Sequence, residues 1–171
     1  MTFYVMTGPQ DPWYPALADD PIRLEIPGAR RLGPGADVVL LLTPDGQPGA
    51  ILCLAYTATL PAAVEDLWAP TDAERPYAVG YTIWSYQRGY GRALLQRLPA
   101  WLRTTRPTVT RLVTLSPCTD VVQHFHLGNG ATIARQNETS INYEYPLDPT
   151  GNPNADVTGI RETRCRDGMS R

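Results

Sequence analysis

Residues 77–93 read Tyr-Ala-Val-Gly-Tyr-Thr-Ile-Trp-Ser-Tyr-Gln-Arg-Gly-Tyr-Gly-Arg-Ala, and along them the sequence changes from one periodicity to another. Residues 77–84 are rich in aromatic and β-branched side chains, which predicts a strand. From residue 91 to residue 103 the apolar side chains recur at helical spacing, and we expect Pro99 to kink or break this helix. Residues 87–93 are therefore predicted to form a glycine turn between a strand and a helix.

This glycine turn is a candidate anion-binding site. Glycines allow backbone N–H groups to face a single point, and the positive end of the following helix aims at the same point. Arg88 and Arg92 would add charge-assisted hydrogen bonds to a phosphate. Two glycines after a strand are also common in tight connections that bind nothing, so the turn alone leaves both interpretations open. The candidate ligand-binding residues are Gln87, Arg88, Gly89, Gly91, Arg92 and Ala93.

The rest of the chain alternates short strands with one further helix. The segment Pro-Asp-Gly-Gln-Pro at residues 44–48 separates two apolar runs and predicts a hairpin. Thr119 and Asp120 are good N-caps for a second helix, which we expect to end at residues 128–130 with Asn129 in a left-handed conformation. Strands are predicted at residues 22–26, 38–42, 50–57, 111–115, 131–135 and 140–145.

This order of elements predicts an α+β fold, with a mixed central sheet and helices packed on its faces. A chain of 171 residues, 43% of them hydrophobic, is long enough for one domain with its own core. We expect this domain to cover residues 1–147 and to begin with an irregular arm over residues 1–36 that carries one strand. Residues 148–171 are polar and rich in proline and glycine, which is typical of a flexible tail.

Charge and hydropathy exclude several classes of function. The net charge is −2 and no basic stripe is present, which argues against a nucleic-acid partner. The longest apolar runs are strand-sized, and the N-terminus lacks a basic segment followed by an apolar one, so we expect a cytoplasmic protein without a membrane partner. All 15 Lys+Arg residues are arginine, which excludes any mechanism that needs a lysine.

Cysteine and histidine are few. Cys53, Cys118 and Cys165 are odd in number and widely spaced, which predicts neither a disulfide framework nor a zinc site. Cys53 lies in an apolar strand and is expected in the core, whereas Cys118 follows a strand end and could be a reactive thiol. His124 and His126 lie two positions apart on the second helix, so they face different directions and cannot share one ligand. We expect no metal, and we expect His124 to be structural.

The glycine turn and the second helix together resemble a known superfamily. Arg-Gly-Tyr-Gly-Arg-Ala at residues 88–93 fits the pattern Arg/Gln-x-x-Gly-x-Gly/Ala, with which GCN5-related acyltransferases (GNAT proteins) hold the pyrophosphate of coenzyme A. Their last helix ends in a Phe-Tyr-x-x-x-Gly-Phe type of sequence, whose tyrosine often acts as a general acid. The corresponding residues 125–131 read Phe-His-Leu-Gly-Asn-Gly-Ala, so His126 stands at the tyrosine position. The resemblance implies a GNAT-like fold.

A narrower resemblance follows from this histidine. Residues 125–131 look like the Phe-His-Leu-x-Asn-Gly-Ala segment that carries the catalytic histidine of malonyl-CoA decarboxylases, and the likeness spans roughly residues 38–147. Residues 81–89 resemble that family's Tyr-Ser-Ile-x-x-Thr-Gln-x-Gly, residues 114–117 its Ser/Thr-Leu-Ser-Pro, and residues 142–145 its Asn-Tyr-x-Tyr. The family's catalytic pair, carried over to this chain, is Ser116 and His126.

The resemblance implies a decarboxylase of a malonyl or substituted malonyl thioester, such as methylmalonyl-CoA. Coenzyme A or the phosphopantetheine of an acyl carrier protein, as in polyketide biosynthesis, would carry the acyl group. The thioester is itself the electron sink, so no prosthetic group is expected. Ser116 would hold the carboxylate, His126 would return a proton to carbon, and backbone N–H groups on a splayed strand would form an oxyanion hole. The oligomeric state is not predicted.

Three departures from the family leave alternatives open. The family carries a helical domain ahead of its catalytic one, which we do not expect here because 36 irregular residues precede the matched region. The glycine turn lacks the family's carboxylate, and only ten positions separate Ser116 from His126, where the family has a long insertion. If residues 120–127 are helical, a rise of roughly 1.5 Å per residue could hold this pair apart. A GNAT-type acyltransferase acting on an amine or thiol, with His126 as acid, is one alternative. A non-enzymatic protein that binds acyl-CoA as a sensor is another.

Overall fold

The computed structural model describes residues 1–148, which are arranged around an eight-stranded mixed sheet. The strands follow the order β1-β2-β3-β4-β5-β8-β6, and β7 pairs with β8. They are β1 (Thr2–Val5), β2 (Ala36–Leu42), β3 (Pro48–Thr57), β4 (Tyr77–Ser85), β5 (Arg111–Thr114), β6 (Ser116–Pro117), β7 (Thr132–Gln136) and β8 (Ser140–Tyr145). The helices are α1 (Gly28–Arg31), α2 (Tyr90–Thr105) and α3 (Asp120–Gly128), with 3₁₀ helices at Tyr14–Asp19 and Val64–Trp68. The predicted fold class is confirmed.

The central hairpin puts apolar side chains on both faces of the sheet. β2 and β3 pair antiparallel as predicted, and Gly46 takes a left-handed φ of +81° in the turn between them. Along β2, Val39 and Leu41 face one core and Val38 and Leu40 face the other. Helix α2 covers the first face, and the N-terminal arm with both 3₁₀ helices covers the second. Both faces are therefore buried, which explains the nearly continuous apolar run of β2.

The strand predicted at residues 22–26 does not form. Asp20 accepts hydrogen bonds from the backbone N–H groups of Ile22 and Arg23, and the Arg31 guanidinium donates to the carbonyls of Arg23 and Ile26. Side chains therefore occupy the backbone groups that a strand ladder would need. The one strand of the arm is β1, which pairs antiparallel with β2 at the edge of the sheet.

Both predicted helices form. Helix α2 runs without interruption through Pro99, so the expected break is wrong, although the proline removes one helical hydrogen bond. Its buried leucines pack on the sheet and hold the helix in place; they are Leu94, Leu95, Leu98 and Leu102. Thr119 caps α3 by accepting a hydrogen bond from the Val122 N–H. Asn129 has a φ of −102°, and the left-handed residue after α3 is Gly130 with a φ of +90°.

The feature that positions the site is a gap between β4 and β5. These two strands are parallel neighbours only over Tyr77–Gly80 and Arg111–Thr114, and the last bond between them runs from the Leu115 N–H to the Gly80 carbonyl. Beyond it the chain leaves β4 and pairs through β6 with β8, while β4 continues to Ser85 beside β3. The register against β3 also skips Tyr81, which bulges β4 at the start of the gap.

Three further observations concern the remaining sequence predictions. Cys53 is free and fully buried as expected. Among residues 1–148 no helix is long and apolar enough to cross a bilayer, and no group of three potential metal ligands occurs in that part of the chain. The tail predicted at residues 148–171 lies, apart from Asp148, outside the described residues.

Candidate active site

A cavity of about 260 Å³ occupies the gap between β4 and β5. Its wall consists of residues 80–85 of β4, residues 112–117 of the opposing segment, and side chains from α2 and α3. Most of these are apolar; examples are Leu52, Ile83, Leu95, Leu98, Val122 and Phe125. Within the described residues, the lining contains no aspartate, glutamate or arginine. The cavity therefore offers an uncharged environment with few polar groups.

Ser116 and His126 meet at the wall of this cavity. The Ser116 Oγ lies 3.1 Å from the His126 Nε2, and both side chains are buried. Ser116 begins β6 and His126 lies in the last turn of α3. The expectation that the helix could hold the two residues apart is therefore wrong. Their catalytic roles remain a prediction.

Three further side chains fix the His126 ring. The hydroxyl of Tyr145 lies 2.7 Å from Nδ1. The ring of Tyr143 stacks on the imidazole at a centroid distance of 4.6 Å and an angle of 23°, and Phe125 contacts it edge-on at 5.2 Å. The contacts at both nitrogens and the two ring contacts hold the imidazole in place.

Burial lowers the pKa of His126 from 6.5 to about 4. The imidazole is therefore neutral at pH 7, with one nitrogen protonated and the other an acceptor. Burial also raises the pKa of Tyr145, so this phenol keeps its proton and can donate it to Nδ1. With the phenol as the donor, the imidazole proton lies on Nε2, which faces Ser116.

The hydrogen bonds continue in one direction beyond Ser116. The Ser116 hydroxyl donates to the Thr114 Oγ1 at 2.9 Å, and that oxygen also accepts the backbone N–H of Tyr143 at 3.1 Å. In the tautomer with Nε2 protonated, donors point from Tyr145 through His126 and Ser116 to Thr114. This pattern differs from a serine activated as a nucleophile, in which the hydroxyl would donate to the histidine.

The neutral state of His126 bears on the proton that this residue is expected to return to carbon. With a pKa of about 4, the imidazolium is scarce in the free protein at pH 7. An anion bound beside the ring favours its charged form and raises the pKa. Protonation of His126 is therefore linked to whatever anion occupies the cavity.

The glycine turn leads directly from the cavity to α2. Gly89 has a left-handed φ of +87° at the N-cap of α2, where no side chain caps the helix. A Cβ on Gly91 would meet the Ser85 Oγ at 2.8 Å, so a larger residue there would require the Ser85 side chain to move. Gln87, Arg88 and Arg92 are exposed beside the turn, and Ala93 is half-buried. The first turn of α2 contains no acidic residue.

The sequence did not single out two partners of the pair, Tyr145 and Thr114. Both belong to motifs of the resemblance, at residues 142–145 and 114–117, but neither was a candidate site residue. Tyr143 and Tyr145 are two positions apart on β8, so their side chains lie on the same face, and this period was the available signal. His124 is exposed and its Nδ1 lies 2.7 Å from the Asp120 carbonyl, away from the cavity.

Comparison with solved structures identifies the class of fold. No family model matches the chain, and no curated protein matches it either. The structure is similar to that of the GphF GNAT-like decarboxylase in complex with isobutyryl-CoA, with a TM-score of 0.65 and 17% identity over 86% of this chain and 100% of that one. The chain has a GNAT-like fold, as the sequence predicted.

Within that class, malonyl-CoA decarboxylases are among the similar structures. The enzyme from Agrobacterium vitis has a TM-score of 0.72 and 19% identity, over 84% of this chain and 60% of that one. The enzyme from Cupriavidus metallidurans has a TM-score of 0.67 and 19% identity, over 85% of this chain and 61% of that one. This chain thus spans about three fifths of their length. The resemblance drawn from the four motifs is confirmed for the fold.

Proposed function

We propose that this protein decarboxylates a malonyl or substituted malonyl thioester to the corresponding acyl thioester and CO₂. The observation that carries the proposal is the hydrogen-bonded pair of Ser116 and His126 on the wall of an uncharged cavity. The similar decarboxylase structures support it. The acyl group and its carrier, coenzyme A or an acyl carrier protein, belong to the proposal.

The glycine turn supports a thioester carrier with a pyrophosphate or phosphate. The uncapped first turn of α2 offers backbone N–H groups and a positive helix end to an anion, and Arg88 and Arg92 add charge. The pantetheine arm would then pass along β4 into the cavity, since Ser85 and the turn are adjacent. Gln87, Gly89, Gly91 and Ala93 complete the proposed binding segment.

The chemistry needs no group beyond the thioester and these side chains. The bond between Cα and the carboxylate breaks, CO₂ leaves, and the electron pair moves into the thioester carbonyl to form an enolate. An apolar wall favours neutral CO₂ over the carboxylate that enters. Beyond Gly80, β4 has no strand neighbour on the β5 side, so backbone N–H groups facing the gap can stabilise the enolate oxygen.

Ser116 and His126 would complete the reaction. The Ser116 hydroxyl can turn from Thr114 to hydrogen-bond the carboxylate, while the His126 Nε2–H continues to donate to the Ser116 oxygen. The enolate carbon takes the Ser116 hydroxyl proton, the His126 Nε2–H restores that hydroxyl, and the imidazole regains a proton from solvent, so that one proton is consumed for each CO₂ released. The Tyr145 hydroxyl keeps the ring proton on Nε2, toward the reacting carbon.

The test is mass spectrometry of malonyl-CoA, and separately methylmalonyl-CoA, incubated with the protein and no acceptor. We expect acetyl-CoA or propionyl-CoA to form. His126→Ala should lower turnover about 10²–10⁴-fold, which is typical for loss of a general acid or base, with coenzyme A affinity retained. His124→Ala is the matched control and should retain turnover. If neither substrate is consumed while coenzyme A binds, an acyl-carrier-protein substrate is tested next, and failure there rejects the decarboxylase.

Acyl transfer is a second candidate because His126 is neutral at pH 7. In the other tautomer, with Nδ1–H donating to the Tyr145 oxygen, Nε2 is unprotonated and can accept a proton from an attacking amine or thiol. This activity would consume acyl-CoA only when an acceptor is added, and it would need no carboxylate on the acyl group. Turnover of acetyl-CoA with an added amine or thiol, and none of malonyl-CoA alone, would select this candidate. Binding of acyl-CoA without either reaction would select a sensor.

A further inference from the structure

The guanidinium of Arg23 contacts the backbone of the cavity wall. The Arg23 Nε donates to the Tyr81 carbonyl at 3.4 Å, and its Nη2 donates to the Leu115 carbonyl at 3.3 Å. Tyr81 lies on β4, Leu115 lies on the opposing segment, and both line the cavity, as does Ile22 beside Arg23. The guanidinium thus bridges the two sides of the gap just after their direct pairing ends.

The Arg23 side chain retains donors that these two bonds do not use. A guanidinium has five N–H donors, and the two bonds to carbonyls are long. No carboxylate within residues 1–148 forms an ion pair with Arg23, whereas three other arginines do form such pairs. Nη1 has no hydrogen-bond partner in the described part of the chain. Its charge is therefore available to an anionic ligand.

The backbone of Arg23 is held in place by a buried ion pair. Asp20 and Arg31 pair at 2.6 Å, with side chains that are 0% and 1% exposed. The Arg23 N–H donates to Asp20, its carbonyl accepts from Arg31, and Asp20 also accepts from the Thr82 hydroxyl of β4 at 2.8 Å. Arg23 is therefore fixed to β4 one residue from Tyr81, before any ligand arrives.

This inference rests on the proposed function and names the group that recognises the substrate. A carboxylate entering the cavity loses hydration, and no charged side chain in the described lining compensates for it. Arg23 does not itself line the cavity, but its guanidinium is hydrogen-bonded to two residues that do, Tyr81 and Leu115. We propose that Arg23 binds the free carboxylate of a malonyl-type acyl group through its unused N–H donors. Arginine matches the geometry of a carboxylate. Arg23 thereby selects acyl groups that end in a carboxylate over simple acyl groups.

The test compares two stable thioethers by isothermal titration calorimetry. S-(2-carboxyethyl)-coenzyme A has the shape of malonyl-CoA without the carbonyl oxygen and cannot decarboxylate, and S-propyl-coenzyme A carries a methyl in place of the carboxylate. We expect Arg23→Gln to weaken binding of the carboxyethyl thioether about tenfold or more, since hydrogen bonds to charged groups contribute about 1.5–3 kcal/mol. Affinity for the propyl thioether should change less than twofold.

Two control variants separate recognition from folding. Arg23→Lys keeps the charge and should retain part of the preference for the carboxyethyl thioether. Arg30→Gln alters an exposed arginine of the same arm that lies over the Trp68 ring, and it should change neither affinity. Equal losses for both thioethers in Arg23→Gln would overturn the inference, because Arg23 would then only support the gap.

The outcomes also distinguish this inference from the proposed function. If the wild-type protein decarboxylates malonyl-CoA but Arg23→Gln binds the carboxyethyl thioether unchanged, only the role of Arg23 fails. If the wild-type protein binds neither thioether, the coenzyme A site fails and the inference fails with it. If both thioethers bind, the carboxylate preference depends on Arg23, and no substrate is consumed, the recognition stands and the decarboxylation is rejected.

Discussion

Two buried polar clusters lie on opposite faces of the sheet and differ in charge. The anchor cluster consists of Asp20, Arg31, Cys53 and Thr82, and its centre is a fully buried ion pair. The site cluster consists of Thr114, Ser116, His126 and Tyr145, and every member is neutral at pH 7. A buried charge pair fixes geometry, because neither charge can leave its partner. A neutral chain of hydroxyls and imidazole holds protons that can move.

Breaking the ion pair of the anchor cluster should lower the stability of the protein most. Asp20→Ala leaves the Arg31 charge buried and unpaired, which should lower the free energy of unfolding by about 3–5 kcal/mol. Asp19→Ala is the control, since Asp19 is exposed and hydrogen-bonds Tyr86 at the surface. Urea unfolding measures both variants. A loss below 1 kcal/mol for Asp20→Ala would mean that the pair does not hold the arm.

The pH dependence of the free energy of unfolding should reveal that the site cluster is neutral. The folded state keeps His126 neutral down to about pH 4, whereas the unfolded chain takes up a proton near pH 6.5. The free energy of unfolding is therefore not lowered by this group above pH 6.5, and it falls as the pH drops from 6.5 toward 4. Between pH 7.5 and pH 5 this loss amounts to about 2 kcal/mol.

Urea unfolding at the two pH values isolates this contribution. Carboxylates also lose stability in acid, but His126→Gln removes only the histidine share, so the variant should lose about 2 kcal/mol less than the wild type. His124→Gln, at an exposed position, should behave like the wild type. Equal pH dependence in wild type and His126→Gln would show that the ring is not kept neutral.

A smaller effect separates the two tyrosines of β8. Tyr145→Phe removes the hydrogen bond to Nδ1 and should destabilise the protein by about 1 kcal/mol. It should also lower turnover, because the proton is no longer held on Nε2. Tyr143→Phe is the matched change, since the Tyr143 hydroxyl is buried without a hydrogen-bond partner in the described part of the chain. Thermal unfolding should show the Tyr143 variant to be at least as stable as the wild type.

The reactivity of the Cys53 thiol reports whether the anchor cluster is closed to solvent. Arg31 contacts the Cys53 Sγ at 3.4 Å, yet burial dominates and raises the pKa of this thiol to about 11. We expect iodoacetamide at pH 8 to leave Cys53 unmodified in the native protein and to label it after unfolding, as read by peptide mass spectrometry. Native labelling would show that the anchor cluster opens to solvent.

Periodicity predicted most of the sheet, but not the arm. β2 to β5 and both long helices follow from apolar spacing and from the turn and cap residues, because these signals are local. Residues 22–26 alternate like a strand, yet Asp20 and Arg31 bind their backbone groups, and Asp20 itself depends on Thr82, 62 positions away. No local pattern contains that contact.

The site could be predicted in part. The motifs indicated Ser116 and His126, and the structure brings them within hydrogen-bond distance. The state of His126 could not be predicted, since its pKa depends on burial by Phe125, Tyr143 and Tyr145. Arg23 was missed because a half-buried arginine in an irregular arm has no sequence signature.

The attachment of the arm also has a consequence for the order of folding. Residues 20–31 leave the ribosome before their partners, because Asp20 contacts Thr82 and Arg23 contacts Leu115, 92 positions later. Contacts of such long range form late, since the loop between them must first close. The arm therefore docks only after β4 and β5 have been synthesised and paired. The contacts of Arg23 with the cavity wall are therefore among the last parts of the domain to form.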